Sequence, residues 1–247
     1  SMPMVTTPYL PSTRPLLLPP ISPRAKRWLT PKCKSPEELP NRLSVISWVL
    51  PITRKIRESN RPQTEIPSRI WSYTRWYGEK FNETLRQYVV ELLVELGCLA
   101  VAPMIQPYFR TMTNEKGPYS NRSERHIAYA AGLGTFSLSD GFITERGIAH
   151  RCGSVVTDLS LPASPRTAKN YLANCLFYVN NKCRACIDRC PAKAVNESGH
   201  DKVRCRDYLR DDIGYLRKEY DVGVAGCGLC QTKVPCESQN PVGKVHR

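Results

Sequence analysis

The sequence predicts a mixed α/β (α+β) protein in which a larger body of helices and short strands precedes a small, cysteine-built, ferredoxin-like domain. Three observations predict it. Eight of the eleven cysteines crowd into residues 175–236, while Cys33, Cys98 and Cys152 stand singly ahead of them. A long helical periodicity flanked by short apolar runs fills the region before the crowd. A chain of 247 residues is long enough to bury one sizeable core and carry a small appended unit. The expected divisions are a Pro-rich basic arm over 1–40, a body over 41–170 and the cysteine domain over 171–247.

Residues 3–40 hold ten prolines, and no acidic residue appears before Glu37. Proline removes a backbone donor and fixes φ, so an extended arm is expected, with Arg24, Lys26, Arg27 and Trp28 free to dock on the body or a partner. Ser1-Met2 reads as a cloning scar. No apolar run is long enough to cross a membrane, and Leu16, Leu17 and Leu18 are hemmed by prolines. A soluble, cytoplasmic protein without a membrane partner is the expectation.

The body opens on a short apolar run over 45–50 that Pro51 ends. Tyr77, Phe81, Leu85, Tyr88, Leu92 and Leu96 then recur at three- and four-residue intervals before Gly97. This spacing predicts an amphipathic helix over 72–96 with that stripe packed into the core. Residues 98–102 read as a buried strand. Ser123 stands where it can cap a short helix that ends at Gly132 and Gly134, and 154–159 reads as a further strand. Downstream, 206–220 reads as a polar helix with Tyr208, Leu209, Leu216 and Tyr220 on its apolar side.

The cysteine spacing carries the chemistry. Cys183, Cys186 and Cys190-Pro191 form C-x2-C-x3-C-P, the back half of the bacterial ferredoxin run, whose front cysteine would fall at Asn180. Eight thiolates suit two 4Fe-4S clusters, and the cysteine before the proline usually serves the other cluster. That rule groups Cys190, Cys205, Cys227 and Cys230 on one cluster, and Cys183, Cys186 and Cys236 on the other. Cys175, five residues before Asn180, completes the second set. Structural zinc and disulfides are the competing readings of such a count. The Cys-Pro step argues for iron, and nothing secretory argues for disulfides. Cys33, Cys98 and Cys152 read as bystanders.

The formal charge is +14. Eight thiolates and two oxidised cores would bring it to roughly +10. A basic protein favours an acidic partner, and a flavodoxin- or ferredoxin-type electron donor fits that description. The charge permits nucleic acid, but no recognition motif indicates it. Lys182, Arg184, Arg189 and Lys193 lie beside the cysteines, where positive charge favours the reduced, more negative cluster or docks an acidic donor.

The AGLG at 131–134, the TDL at 157–159 and the cysteine tail, in this order, resemble the epoxyqueuosine reductase and reductive dehalogenase superfamily. The resemblance covers roughly residues 71–241. It implies a nitroreductase-like domain followed by the two-cluster domain, with a cobalamin, or less readily a flavin, held between them. Electrons would pass from an external donor through the clusters to that cofactor and on to a substrate, either a small molecule or one linked to tRNA. Four histidines and the lack of a D-x-H-x2-G motif agree with a corrinoid bound without a protein histidine. Gly132, Gly134, Thr135 and Ser137 are the candidate cofactor-binding residues. Where epoxyqueuosine reductases carry an aspartate this chain has Pro118, and Tyr119 beside it is the candidate proton donor. The loop after AGLG reads TFSLSDG and lacks the family's lysine. The rival readings are a two-cluster electron-transfer or corrinoid-handling protein without turnover, and an RNA-associated basic factor.

Overall fold

The computed structural model describes residues 43–244. The Pro-rich arm, with Cys33, Arg24, Lys26, Arg27 and Trp28, lies outside the described residues. The architecture is mixed α/β with several small sheets. The principal sheet has three antiparallel strands in the order β1 (Ser44–Pro51), β7 (His150–Thr157), β2 (Ala100–Val101). Its register sets Ser44 opposite Thr157 and Pro51 opposite His150. Three two-stranded ribbons accompany it: β3 (Thr111–Asn114) with β4 (Gly117–Ser120), β5 (Gly134–Phe136) with β6 (Phe142–Thr144), and β8 (Val195–Asn196) with β9 (Gly199–His200).

Helix α1 (Arg54–Asn60) leads into α2 (Arg69–Glu95), the 27-residue helix that packs on the principal sheet. Ser68 caps α2 by accepting from the Trp71 amide at 3.2 Å, which satisfies one of the four unpaired donors at the helix start. Val90, Leu93 and Val94 from its last turns meet Ala102 and Val155 in one buried cluster. A shorter helix, α3 (Glu124–Ala130), follows Ser123, whose hydroxyl turns to His126 Nδ1 at 2.8 Å and leaves the backbone uncapped.

The helix over 72–96 forms as its periodicity predicts, but its expected core stripe does not face the core. Tyr77, Phe81, Leu92 and Leu96 are exposed, and Asn82 and Arg86 are buried in their place. In its middle turns the buried face is a polar ladder, flanked by buried Trp71 on one side and Val90, Leu93 and Val94 on the other. Asn82 Nδ2 and Arg86 Nη2 both donate to the Cys152 carbonyl, at 2.8 and 3.0 Å, and Trp48 Nε1 donates to Asn82 Oδ1 at 3.0 Å. Hydrogen bonding to β1 and β7 therefore sets the rotation of α2, against its apolar pattern.

The expected helix over 206–220 is also divided. Helix α6 (Lys202–Asp207), capped by Asp201 through the Arg204 amide at 2.9 Å, runs into a π-turn over Tyr208–Asp212, and α7 (Leu216–Glu219) follows. The Ile213 amide reaches back to the Tyr208 carbonyl at 3.1 Å, and Gly214 lies against the Arg210 carbonyl, so the chain folds over on itself. Leu216 and Tyr220 nevertheless bury with Ile213 and Val222, and Tyr208 and Leu209 pack against them.

The cysteine tail and the body share cores. Leu138, Ile143 and Ile148 bury with Cys175, Cys190, Ala194, Val195 and Val234. The Ile148 amide donates to the Cys236 carbonyl at 2.8 Å and the Ala149 amide to the Glu237 carbonyl at 3.1 Å. Gly147, at φ +80°, allows this approach, because a Cβ there would stand 2.5 Å from backbone atoms of residues 237–239. Arg57 and Arg61 clamp the Glu237 carboxylate at 3.0 and 2.8 Å. Among the described residues no helix is long and apolar enough to cross a membrane.

Candidate metal centre

Short helices present the cysteines. Cys175 precedes α4 (Leu176–Asn180), Cys186 lies in α5 (Ala185–Asp188) and Cys205 lies in α6. Cys227 precedes, and Cys230 lies within, a single 3-10 turn over Leu229–Gln231. Asn180, where a ferredoxin run would have its first cysteine, serves the turn instead. Its Oδ1 accepts from the Lys182 amide at 3.1 Å, and Asn181 follows at φ +54°. Cys175 and Cys190 are buried, and the Ala194 amide donates to Cys190 Sγ at 3.2 Å. All ten described cysteines are free thiols.

Electrostatic interactions link the eight in two overlapping groups. Burial pushes the Cys186 thiol up to about 12, and charge on Cys175 and Cys183 adds to the rise. Burial raises Cys236 further, reinforced by Cys175, Cys186 and Cys183. On the other side burial lifts Cys227 to about 12, with Cys205 and Cys190 as its cysteine neighbours. Cys230 is raised well above the ordinary thiol by burial, then by Cys227, Cys205, Cys186 and Cys190. Cys186 is thus felt from both sets, which makes the two sites adjacent. Four thiols gathered in a dry environment cannot ionise together unless a positive centre compensates them, and metal coordination deprotonates a thiol outright.

Among the described residues no three or more Cys, His, Asp or Glu side chains form a group that could hold a metal ion. A single zinc draws its sulfurs to about 2.3 Å from one centre, so its ligands converge closely. Here the thiols border two neighbouring spaces. Cys175, Cys183, Cys186, Cys230 and Cys236 line a cavity of about 20 Å³. Cys190, Cys205, Cys227 and again Cys230 line a second of about 240 Å³ that opens toward α2. An all-thiolate donor set is the ligand chemistry of four-iron cores.

The second cavity shares Arg75, Arg125, Gly141, Arg151 and Gln231 with a larger one of about 570 Å³ between α2, α3 and β7. Tyr119, exposed on β4, borders a third space near Arg125 and Cys205. Of the candidate cofactor residues, Ser137 is buried, bonds Ser139 at 3.1 Å and lines the first cysteine cavity. Gly132 forms the turn after α3, its amide on the Tyr129 carbonyl at 3.0 Å. Gly134 presses on the Ile143 backbone in its ribbon, where a Cβ would collide with the carbonyl. Thr135 accepts from the Asn174 amide at 2.9 Å. The latter three are not among the residues lining these cavities.

The sequence reading missed Arg75, Glu79 and Arg86 as a polar stripe. Glu79 bonds Arg86 at 3.0 Å and Arg151 at 2.8 Å, and Arg86 also meets Glu124 at 3.0 Å. The signal was present in the spacing 75, 79, 82, 86, which is as helical as the aromatic stripe. Cys152 shows no reactive setting, since burial and the Glu124 charge push its thiol up to about 12. Burial likewise holds His150, beside it, down to about 4.

No protein-family model matches the chain, and no curated protein matches it. Among solved structures it is similar to epoxyqueuosine reductase from Bacillus subtilis, captured with its catalytic loop swung out of the active site. The identity is 19%, the match covers 80% of this chain and 49% of that one, and the TM-score is 0.44. This chain spans about half the length of that enzyme.

Proposed function

We propose that the protein is an iron-sulfur oxidoreductase that moves electrons through two 4Fe-4S clusters to a cobalamin, or less readily a flavin, in the cavity between α2 and the cysteine tail. The observation that supports this reading is the gathering of eight buried or half-buried thiols around two adjoining cavities that meet at Cys230. Bound clusters would supply one-electron storage, and a bound organic cofactor would supply the reduction of substrate.

The chain's own residues hold and insulate that path. Arg189 binds the Thr232 carbonyl at 3.1 Å and the Gln63 carbonyl at 2.6 Å, tying the Cys190 turn to the Cys230 loop and to α1. Cys227 and Cys230 lie within its electrostatic reach, so its charge offsets thiolates there. Lys182 and Arg184 lie on the exposed side of the first set, where an acidic flavodoxin- or ferredoxin-type donor would dock. Arg184 is partly neutralised by Glu197 at 2.6 Å.

The test is anaerobic reconstitution followed by metal, sulfide and cofactor analysis. The expected result is about eight iron and eight sulfide per chain with broad visible absorption. Colourless protein carrying zinc would overturn the reading. A two-cluster electron carrier is the second reading, favoured by the placement of Gly132, Gly134 and Thr135 away from the cavities. Clusters that exchange electrons while no corrinoid or flavin binds would select it.

A further inference from the structure

The wall shared by the second cysteine cavity and the cavity between α2, α3 and β7 contains a cation with no hydrogen-bonded counterion among the described residues. Arg75, half-buried on α2 one turn before Glu79, makes no hydrogen bond or ion pair among the described residues. Glu79 is the carboxylate within its electrostatic reach, and both of its oxygens are taken. Oε1 receives Arg86 Nη1 at 3.0 Å, and Oε2 receives Arg151 Nε at 2.9 Å. Arg75 therefore faces the like charge of Arg151 with Glu79 already engaged. Burial and then Arg151 hold its guanidinium down to about 10. Arg125 borders the same space, donates to the Asp140 carbonyl and lies within electrostatic reach of the Asp140 carboxylate.

The cysteines do not explain Arg75. Arg189 is the arginine within reach of Cys227 and Cys230, whereas no cysteine acts on Arg75. Its stem packs on Gly226, which fixes the root of the side chain beside the Cys227 loop. A partly desolvated guanidinium with no partner costs stability unless something anionic meets it. Guanidinium groups match carboxylate and phosphate oxygens in paired, charge-assisted hydrogen bonds.

We propose that this cavity binds an anionic small-molecule substrate by its carboxylate or phosphate group, with Arg75 as the residue that meets the oxyanion and Arg125 and Arg151 as flanking charge. The assignment rests on the reductase reading for the word substrate; the anion site itself rests on the arginines. The oxyanion would sit in the cavity between α2, α3 and β7, whose wall of Arg75, Arg125 and Arg151 also borders the cluster and cofactor space.

The test titrates inorganic phosphate and succinate into the reconstituted protein by calorimetry, with EPR spectra of the reduced clusters recorded in parallel. Wild type should bind at least one of these anions and shift the EPR signal of the adjacent cluster. Arg75→Gln should weaken binding roughly 10- to 100-fold. Arg75→Lys should stay within a few-fold of wild type, and Arg54→Gln, on the exposed surface, should bind as wild type does. Wild type that binds neither anion, or Arg75→Gln that binds as well as wild type, overturns the proposal. Should Arg75→Gln lose its iron, Arg125→Gln decides: unchanged binding with an unshifted wild-type EPR signal overturns it, and weakened binding with a shift supports it. Iron content separates this inference from the reading beneath it. Zinc-loaded protein that still binds anion through Arg75 sinks the reductase and leaves the site. Full iron with binding indifferent to Arg75 sinks the site and leaves the reductase.

Discussion

Trp48 on β1 donates its indole N–H to Asn82 Oδ1 at 3.0 Å, and that bond fixes which side of α2 faces the sheet. Asn82 is fully buried, while its neighbour Phe81 is about half exposed. Hydrophobic pattern alone would assign these two residues the opposite positions. Asn82→Leu should destabilise the protein by about 2 kcal/mol, because the Trp48 N–H is left buried without an acceptor. Phe81→Gln should stay within about 0.5 kcal/mol of wild type. Thermal melts of the two variants check the pair, and a larger loss at Phe81 would contradict the orientation of α2.

What was legible in the sequence, and what was not, follows from the same helix. Its existence and length follow from a long periodic segment with Gly97 as a stop. Its rotation does not, because two periodic stripes coexist and hydrogen bonds to β1 and β7 favour the polar one. The strand over 45–50 forms, and the one expected over 154–159 forms as far as Thr157 and is extended back to His150 by pairing with β1. The division of 206–220 was hidden, since a π-turn is set by tertiary closure at Gly214 and leaves the local apolar spacing intact. Within the site, cysteine spacing alone supports the two-set grouping. The arginine-lined cavity needed three dimensions, because Arg75, Arg125 and Arg151 come from α2, α3 and β7.

The two carboxylates on Arg86 respond oppositely to their surroundings. Burial raises Glu124, with Ser154 and Arg86 pulling against it. Burial also opposes ionisation of Glu79, but Arg151 and Arg86 outweigh it and hold that carboxyl below its usual range. A folded-state value below the unfolded one means the stabilisation from ionised Glu79 is complete above about pH 4.3 and fades as pH falls through the lower folded value. Glu79→Gln should therefore cost about 2–3 kcal/mol at pH 7. The gap between variant and wild-type melting temperatures should narrow as pH drops below about 4. A gap that widens with acid would refute the assignment.

Gly147 couples the body to the second half of the tail. Gly147→Ala combines a residue at φ +80° with a Cβ 2.5 Å from backbone atoms of residues 237–239. The expected loss is about 2–4 kcal/mol. Because the Ile148 amide holds the Cys236 carbonyl, the visible absorption of reconstituted protein should bleach faster in this variant than in wild type. Gly199→Ala is the control. Gly199 also has positive φ, but nothing lies within 4 Å of the added Cβ. It should show the smaller backbone cost and wild-type bleaching.

The grouping of thiols predicts a specific arithmetic of iron. Cys236 and Cys186 both feel Cys175, and Asn180 is spent on the turn that ends α4, so the proposed grouping takes Cys175 as the fourth sulfur of the first set and leaves Cys230 to the second. Cys175→Ser should lower iron from about eight toward about four per chain while the second set keeps its spectrum. Cys230→Ser should remove the other half. Cys152→Ser should leave about eight, because that thiol is buried beside His150 and belongs to neither set. Iron and sulfide assays with EPR of the reduced variants distinguish the halves. If Cys175→Ser retains all its iron, another ligand completes the first set and the path to the cavity must be redrawn around it.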